Sequence, residues 1–394
     1  MTDKSVKREL VAVEHMFHRE MSSVNTDEIM LSFNSYALQE IREMLIKLTP
    51  TGSRISMHSE IYALMVRIAP KALFGPLFNV EGLVAPLKEF DSCFQGLALA
   101  GQMNPLLGRL LRYFVLGRGK GKSKKFLLQF SNFKQYMSLA GYAKLLRNSQ
   151  DYAAKGGFEE AGPMIKKMVD GLKALGWDEK ALATATATLI FALTSMSSIQ
   201  TFLQILNCIN SQCFASYYFH CHVFLIVSTR DAASWVLLHI LQSPRLLSQI
   251  RAEIASLPPS SENSSVPDLR GSATHQHLPT LVSAIHETMR LHTNVMSARI
   301  AKEDVVFTTD QHSVLVKKGR LVVAPIRALH TDPLVWKDPF AFDGTRFLGE
   351  AGQARVKDLY YFGSGISRCA GESIHFWMGV QLQRAFYRTQ LCCG

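Results

Sequence analysis

Apolar residues recur every three to four positions over 27–48 and 60–74, the spacing that gives an α-helix one buried face. Residues 1–180 read as helical throughout, with Pro- and Gly-containing turns near 49–53, 70–76 and 104–108. A further strong helix runs over 231–257, DAASWVLLHILQSPRLLSQIRAEIASL, bent or divided at Ser243-Pro244 because proline cannot continue the backbone ladder. A polar loop follows, then a helix over roughly 279–293. Only after it do short strand-like runs appear, DVVFTT at 304–309 and RLVVAPI at 320–326, with Lys317-Lys318-Gly319 as a turn between them. The pattern predicts a mainly α protein with small β-sheets and no internal repeat.

One stretch departs from it. From Ala181 to Thr229 there are 49 residues without an Asp, Glu, Lys or Arg. A run of that length can span a bilayer, but Thr, Ser, Asn, Gln and His are spread through it. A long helix buried in a core is the preferred reading.

Composition narrows the class. Of 394 residues, 47% are hydrophobic and 19% charged, enough apolar material for a large core. The net charge of +11 points to acidic partners. Part of it sits in Arg118, Lys120, Lys122, Lys124 and Lys125, interleaved with Gly117, Gly119 and Gly121. No aromatic residues alternate with these charges, so nucleic acid is not expected as a partner and a solvated loop is. Seven cysteines lie without CxxC pairs or regular spacing, which argues against a zinc knuckle or a secreted disulfide framework. The N-terminal MTDKSVKREL is polar and lacks the apolar run of a signal peptide or anchor, so a reducing compartment is expected.

The chemistry is carried near the C-terminus by Phe362-Gly363-Ser364-Gly365-Ile366-Ser367-Arg368-Cys369-Ala370-Gly371. A thiolate that ligates iron must sit in a tight loop whose amides face the sulfur; glycines permit the turns. The helix predicted just after it, ESIHFWMGVQLQRAF, adds the positive end of its dipole. This stretch resembles the haem-binding loop of the cytochrome P-450 family, Phe-x-x-Gly-x-basic-x-Cys-x-Gly. Phe362, Gly365, Cys369 and Gly371 match; Ser367 stands where a basic residue is usual, and Arg368 is the nearest charge for a haem propionate.

Two further signatures occur in the family's order. Glu287-Thr288-Met289-Arg290 places a carboxylate and a guanidinium on one helix face, with Arg290 79 residues before the cysteine. The segment from Asp338 to Phe347 resembles the family's Pro-x-Arg-Phe element, with Arg346 23 residues before Cys369. The resemblance implies that Glu287, Arg290 and Arg346 form a structural cluster under the haem. It also assigns Arg299 to a propionate, leading into a strand that flanks the substrate pocket. The spacing around Glu287 and Arg299, with Ala232-Ala233-Ser234-Trp235, is nearest to one branch. That branch holds sterol 7α- and 12α-hydroxylases, prostacyclin synthase and fungal secondary-metabolite oxygenases.

In the family a long central helix carries an acid–alcohol pair across the haem. Counting back seven from Trp235 puts Ser228 at the alcohol position and Val227 where the acid belongs. Upstream, 183–195 already reads as the first half of that helix and 229–241 as its second. Residues 196–228 are therefore expected to be an insertion within it, a retained intron read through in frame, with a splice isoform or a membrane-facing element as the alternatives. The expected architecture is a single cytochrome P-450 domain over 1–394, truncated at both ends, with its central helix interrupted.

The resemblance implies haem b ligated by Cys369, electrons from NADPH through a cytochrome reductase partner, and insertion of one oxygen atom into a lipophilic substrate. It implies a membrane surface as partner and the cytosolic face of the endoplasmic reticulum; without an anchor, the cytoplasm is the alternative. Two other readings stay open: a haem-thiolate isomerase or dehydratase that does not use O2, and an inactive truncated or mis-spliced relative.

Overall fold

The computed structural model describes residues 19–20, 26–48, 56–89, 140–194, 229–257, 276–293, 296–310, 312–365, 368–369 and 372–392. Elements among them include twelve α-helices, one short 3-10 turn and four strands. The polybasic loop at 117–125, the insert at 196–228, Val227 and Ser228 lie outside the described residues.

Helix α1 (Thr26–Leu48) forms as its pattern predicts. Ile29, Phe33, Ala37, Ile41 and Met44 are all buried, one stripe at helical spacing. It packs on α2 (Met57–Phe74) and on the C-terminal helix α12 (Glu372–Cys392). The turn expected from residue 70 starts later. Pro70 lies inside α2, which ends only at Gly75, where φ is +82° and the amide bonds to the carbonyl of Lys71. A proline within a helix costs about 3 kcal/mol. Burial of Ile68, Ala69, Ala72 and Leu73 around it offsets that, at roughly 1.5–3 kcal/mol for each large side chain.

Helices α3 (Ala140–Ala154), α4 (Gly157–Glu160) and α5 (Pro163–Ala174) follow, then α6 (Glu179–Thr194). The start of the charge-free stretch is buried in α6, with Leu182, Ala183, Ala187, Leu189 and Ile190 inside. Among the described residues no helix is long and apolar enough to cross a membrane. Helix α7 (Thr229–Leu241) touches α6 and lies against α2, α9 and α12. It is separated from α8 (Pro244–Ala255) by Ser243, whose hydroxyl caps the amide of Leu246 ahead of Pro244 at the first helical position. The divided helix anticipated at Ser243-Pro244 is thus two helices, the second capped at its N-terminus.

Helix α9 (Pro279–His292) is buried from Thr280 to Leu291. Its first free amides are satisfied from another helix: Glu253 of α8 accepts from Thr280 N at 2.8 Å and Leu281 N at 3.3 Å. A carboxylate there also suits the dipole. Strands β1 (Met296–Ile300), β2 (Val305–Thr308), β3 (Ser313–Val316) and β4 (Leu321–Pro325) come next. The two strands read from sequence do not pair with each other. β2 pairs with β3 and β4 with β1, both antiparallel. The turn at Lys317-Lys318-Gly319 leads from β3 into β4, tied by Asp304, which accepts from Lys317 Nζ and Lys318 N. Strand β3 was missed because Ser313–Val316 is only four residues long, and β1 because it runs on from the α9 pattern.

After β4 come α10 (Ile326–His330), α11 (Gly349–Ala354) and the 3-10 turn at Arg355–Asp358. Helix α12 closes the fold, contacted by α1, α7, α8 and α9. Met378, Val380, Leu382, Ala385 and Phe386 are buried, and Gln383 donates to the Ala233 carbonyl of α7 at 2.8 Å.

Candidate functional site

Helix α9 holds the middle of the site. Glu287 and Arg290 share its inner face and are fully buried. The guanidinium grips the carboxylate with two donors, Nε to Oε2 at 2.8 Å and Nη2 to Oε1 at 2.9 Å. Arg346, on the coil after α10, brings Nε to both oxygens at 3.0 Å, with its side chain 12% exposed. The backbone amide of Asp343 donates to Oε1 at 3.1 Å. One buried carboxylate therefore meets two guanidiniums, and the remaining donors go to carbonyls. Arg290 Nη1 donates to those of His330 and Pro339, and Arg346 to those of Lys337 and Ala341. The ring of Trp336 lies under both Arg290 and Arg355, 5.3 and 4.3 Å from ring centroid to guanidinium. Burial pushes Asp343 up, but Thr345, Arg346 and Arg290 outweigh it and hold the carboxyl below its usual range.

The cluster fixes the coil from 330 to 347, and that coil reaches the cysteine loop. His330 is fully buried, and its Nε2 accepts from the amide of Tyr360 at 2.9 Å. Burial lowers His330 to about 4, so its ring is neutral and able to accept. Beyond Tyr360 the chain turns through Gly363 and Gly365, both at positive φ, 76° and 65°. A side chain at Gly365 would be strained by that backbone, although nothing lies within 4 Å of where its Cβ would stand. Cys369 N donates to Phe362 O at 2.8 Å and Arg368 N to Gly365 O at 3.1 Å, closing the loop on itself. Gly371 lies outside the described residues.

Cys369, outside any disulfide and partly exposed, lies three residues ahead of α12. Arg368 is engaged by Glu372 of the first turn, with Nη2 2.6 Å from Oε1 and Nε on Oε2. Arg299 stands exposed on β1 opposite Val322, on a different element from both cluster and loop. Among the described residues no group of three or more His, Cys, Asp or Glu side chains could hold a metal ion. A thiol in a glycine loop, with no companion ligand group among the described residues, is a donor set that suits a haem iron. In that sense the residues fit a haem.

Sequence reasoning missed the histidines. His286, beside Glu287, is buried and lies 2.5 Å through Nδ1 from the Tyr361 hydroxyl. His239 of α7 and His292 of α9 face each other Nε2 to Nε2 at 2.8 Å. Trp235 stacks on His292 at 4.0 Å and Phe342 on His239 at 4.1 Å. Burial lowers both histidines, His292 to about 4 with His239 and Arg327 adding to it. Each is a lone histidine in a helical pattern, so nothing in the chain pairs them before the helices pack.

Residues 227–377 match the family model of cytochrome P450. The chain is similar to cytochrome P450 7A1 of Rattus norvegicus, 30% identical over 184 residues, 42% of this chain and 35% of that one. The 25-hydroxycholesterol 7-alpha-hydroxylase of the same organism is 29% identical over 158 residues, 37% of this chain and 38% of that one. Cytochrome P450 monooxygenase TRI4 of Trichoderma arundinaceum is 28% identical over 161 residues, 39% and 30% of the two chains. The matching part of the chain spans about a third of the length of these relatives.

Proposed function

We propose that this chain, whose residues 227–377 match the family model of cytochrome P450, is a haem-thiolate monooxygenase in which Cys369 ligates the iron. The observation that carries the reading is the closed loop from Phe362 to Cys369, braced through His330 and Tyr360 by the buried Glu287–Arg290–Arg346 cluster. When bound, the haem supplies activation of O2 and insertion of one oxygen atom, with a thiolate ligand favouring O–O cleavage.

The chain's own residues supply the rest. The Phe362 carbonyl takes the Cys369 amide and fixes the direction of the cysteine backbone. The start of α12 places the positive end of a helix dipole near the sulfur, favouring its ionised form. Phe362 and Gly365 shape the loop, with Gly371 as its last glycine. Arg299 and Arg368 are the proposed propionate partners. Arg368 would leave Glu372 for that role. Ser228 is the proposed alcohol, which would hold a proton for the oxygen chemistry. Electrons are expected from NADPH through a cytochrome reductase partner, for which a positive surface is suited.

The relatives' names include sterol 7α-hydroxylases and a fungal monooxygenase. A lipophilic substrate of steroid, terpenoid or polyketide type is the corresponding proposal, at the cytosolic face of the endoplasmic reticulum membrane. A second reading rests on Val227, which stands where the family's acid belongs: an isomerase or dehydratase that keeps the haem but does not use O2. Turnover that requires NADPH and reductase selects the first; turnover without them selects the second.

The test is the absorption spectrum of the reduced, carbon monoxide-bound protein. Cys369→Ala is expected to abolish the thiolate-type band, while Cys208→Ala, Cys213→Ala and Cys221→Ala retain it. An unchanged spectrum in the Cys369 variant ends the assignment.

A further inference from the structure

The Glu287–Arg290–Arg346 cluster reaches the cysteine loop only indirectly. Arg290 donates to the His330 carbonyl, and the His330 ring accepts from Tyr360 N. A second connection runs from the same helix straight into the loop and uses none of those side chains. His286, one residue before Glu287, is 5% exposed, and Tyr361, one residue before Phe362, is 9% exposed. Nδ1 of one lies 2.5 Å from the hydroxyl of the other. The imidazole stacks on Phe376 of α12 at 4.9 Å, and the Tyr361 ring meets Phe362 edge-on at 5.0 Å.

The next atoms in line matter most. Phe362, bonded to Tyr361, offers its carbonyl to the amide of Cys369 at 2.8 Å. The path from α9 to the cysteine is thus one side-chain hydrogen bond, one peptide unit and one backbone hydrogen bond. Burial holds the Tyr361 hydroxyl far above its ordinary value, so the phenol keeps its proton over the working range. An unshared phenol and imidazole at that depth would each carry a desolvation cost that the bond removes. We propose that His286 and Tyr361 are positioning residues, a buried clamp that holds the loop closed over the backbone of Cys369. The clamp thereby sets both the protection and the ligating geometry of the Cys369 thiol. This rests on the haem-thiolate reading for its second consequence only.

Two measurements on the full chain separate the ideas. In haem-free protein, the rate of Cys369 alkylation by iodoacetamide, read by peptide mapping, reports opening of the loop. Tyr361→Phe and His286→Leu are expected to raise it about tenfold over the unsubstituted chain, the scale of one lost buried hydrogen bond. His286→Asn keeps an acceptor near the position of Nδ1 and is expected to stay within about twofold. In haem-loaded protein, Tyr361→Phe and His286→Leu should convert the thiolate-type carbon monoxide band to the thiol-type band faster than His286→Asn does. An unsubstituted chain with no thiolate-type band sinks the haem reading and leaves the alkylation result standing. Equal Cys369 alkylation rates in the unsubstituted chain, Tyr361→Phe and His286→Leu overturn the clamp. So does acceleration in both His286 variants without it in Tyr361→Phe, since ring packing would then hold the loop.

Discussion

Glu287 shows how much one side chain can organise. It is fully buried and receives two donors from Arg290, one shared donor from Arg346 and the amide of Asp343. Replacing it by alanine leaves two guanidiniums facing each other without a counter-charge. Breaking a buried pair from one side costs about 3–5 kcal/mol. Glu287→Ala is therefore expected to lower unfolding free energy by that amount in urea titration. A loss below about 1 kcal/mol, the range of surface pairs, would show that the cluster is not what holds the coil. Arg368 sits at the other extreme: its pair with Glu372 is largely in water, at 60% and 30% side-chain exposure. Such a pair contributes little to stability and can be given up to another anion.

At the scale of elements, α6 and α7 pose the sharpest question. α6 ends at Thr194 with a buried apolar face, and α7 begins at Thr229 with Ala233, Val236, Leu237 and Ile240 buried. Both pack against α2. Joining Ser195 to Thr229 restores a serine seven residues before Trp235, the place Ser228 holds in the full chain. The chain lacking Met196 to Ser228 is expected to give more soluble protein and take up more haem. Phe202, Phe214, Tyr217, Tyr218, Phe219 and Phe224 would no longer need burying, at roughly 1.5–3 kcal/mol for each one left in water. Lower yield and lost haem in the deletion would make the segment integral. The α7–α8 break needs no such experiment to be understood. Ser243 caps and Pro244 begins a helix, local chemistry that operates wherever the pair occurs.

For the molecule as a whole, the buried histidines make stability depend on acidity. His330 and His292 are lowered to about 4 in the folded chain, against the ordinary value near 6.5. Below pH 6.5 the unfolded chain takes up protons that the folded chain refuses. Their contribution is complete above that pH and is lost as pH falls towards 4. The slope approaches about 1.4 kcal/mol per pH unit for fully buried His330 and is smaller for partly exposed His292. The urea midpoint should fall steadily from pH 7 to 4.5, and less steeply in His330→Gln. A flat profile would mean that these rings protonate without unfolding. The sequence by itself determined the helices with a clean apolar stripe, the break at Pro244, and the order and spacing of Glu287, Arg290, Arg346 and Cys369. Those follow from periodicity, local backbone chemistry and a resemblance carried by short motifs. Only the tertiary structure decided which strands pair, that Pro70 stays within a helix, and that His286 meets Tyr361 and His239 meets His292. Each of those joins groups distant in the chain, or depends on burial that a single segment does not encode. An imidazole in a helical pattern looks the same whether it faces water or a phenol 75 residues away.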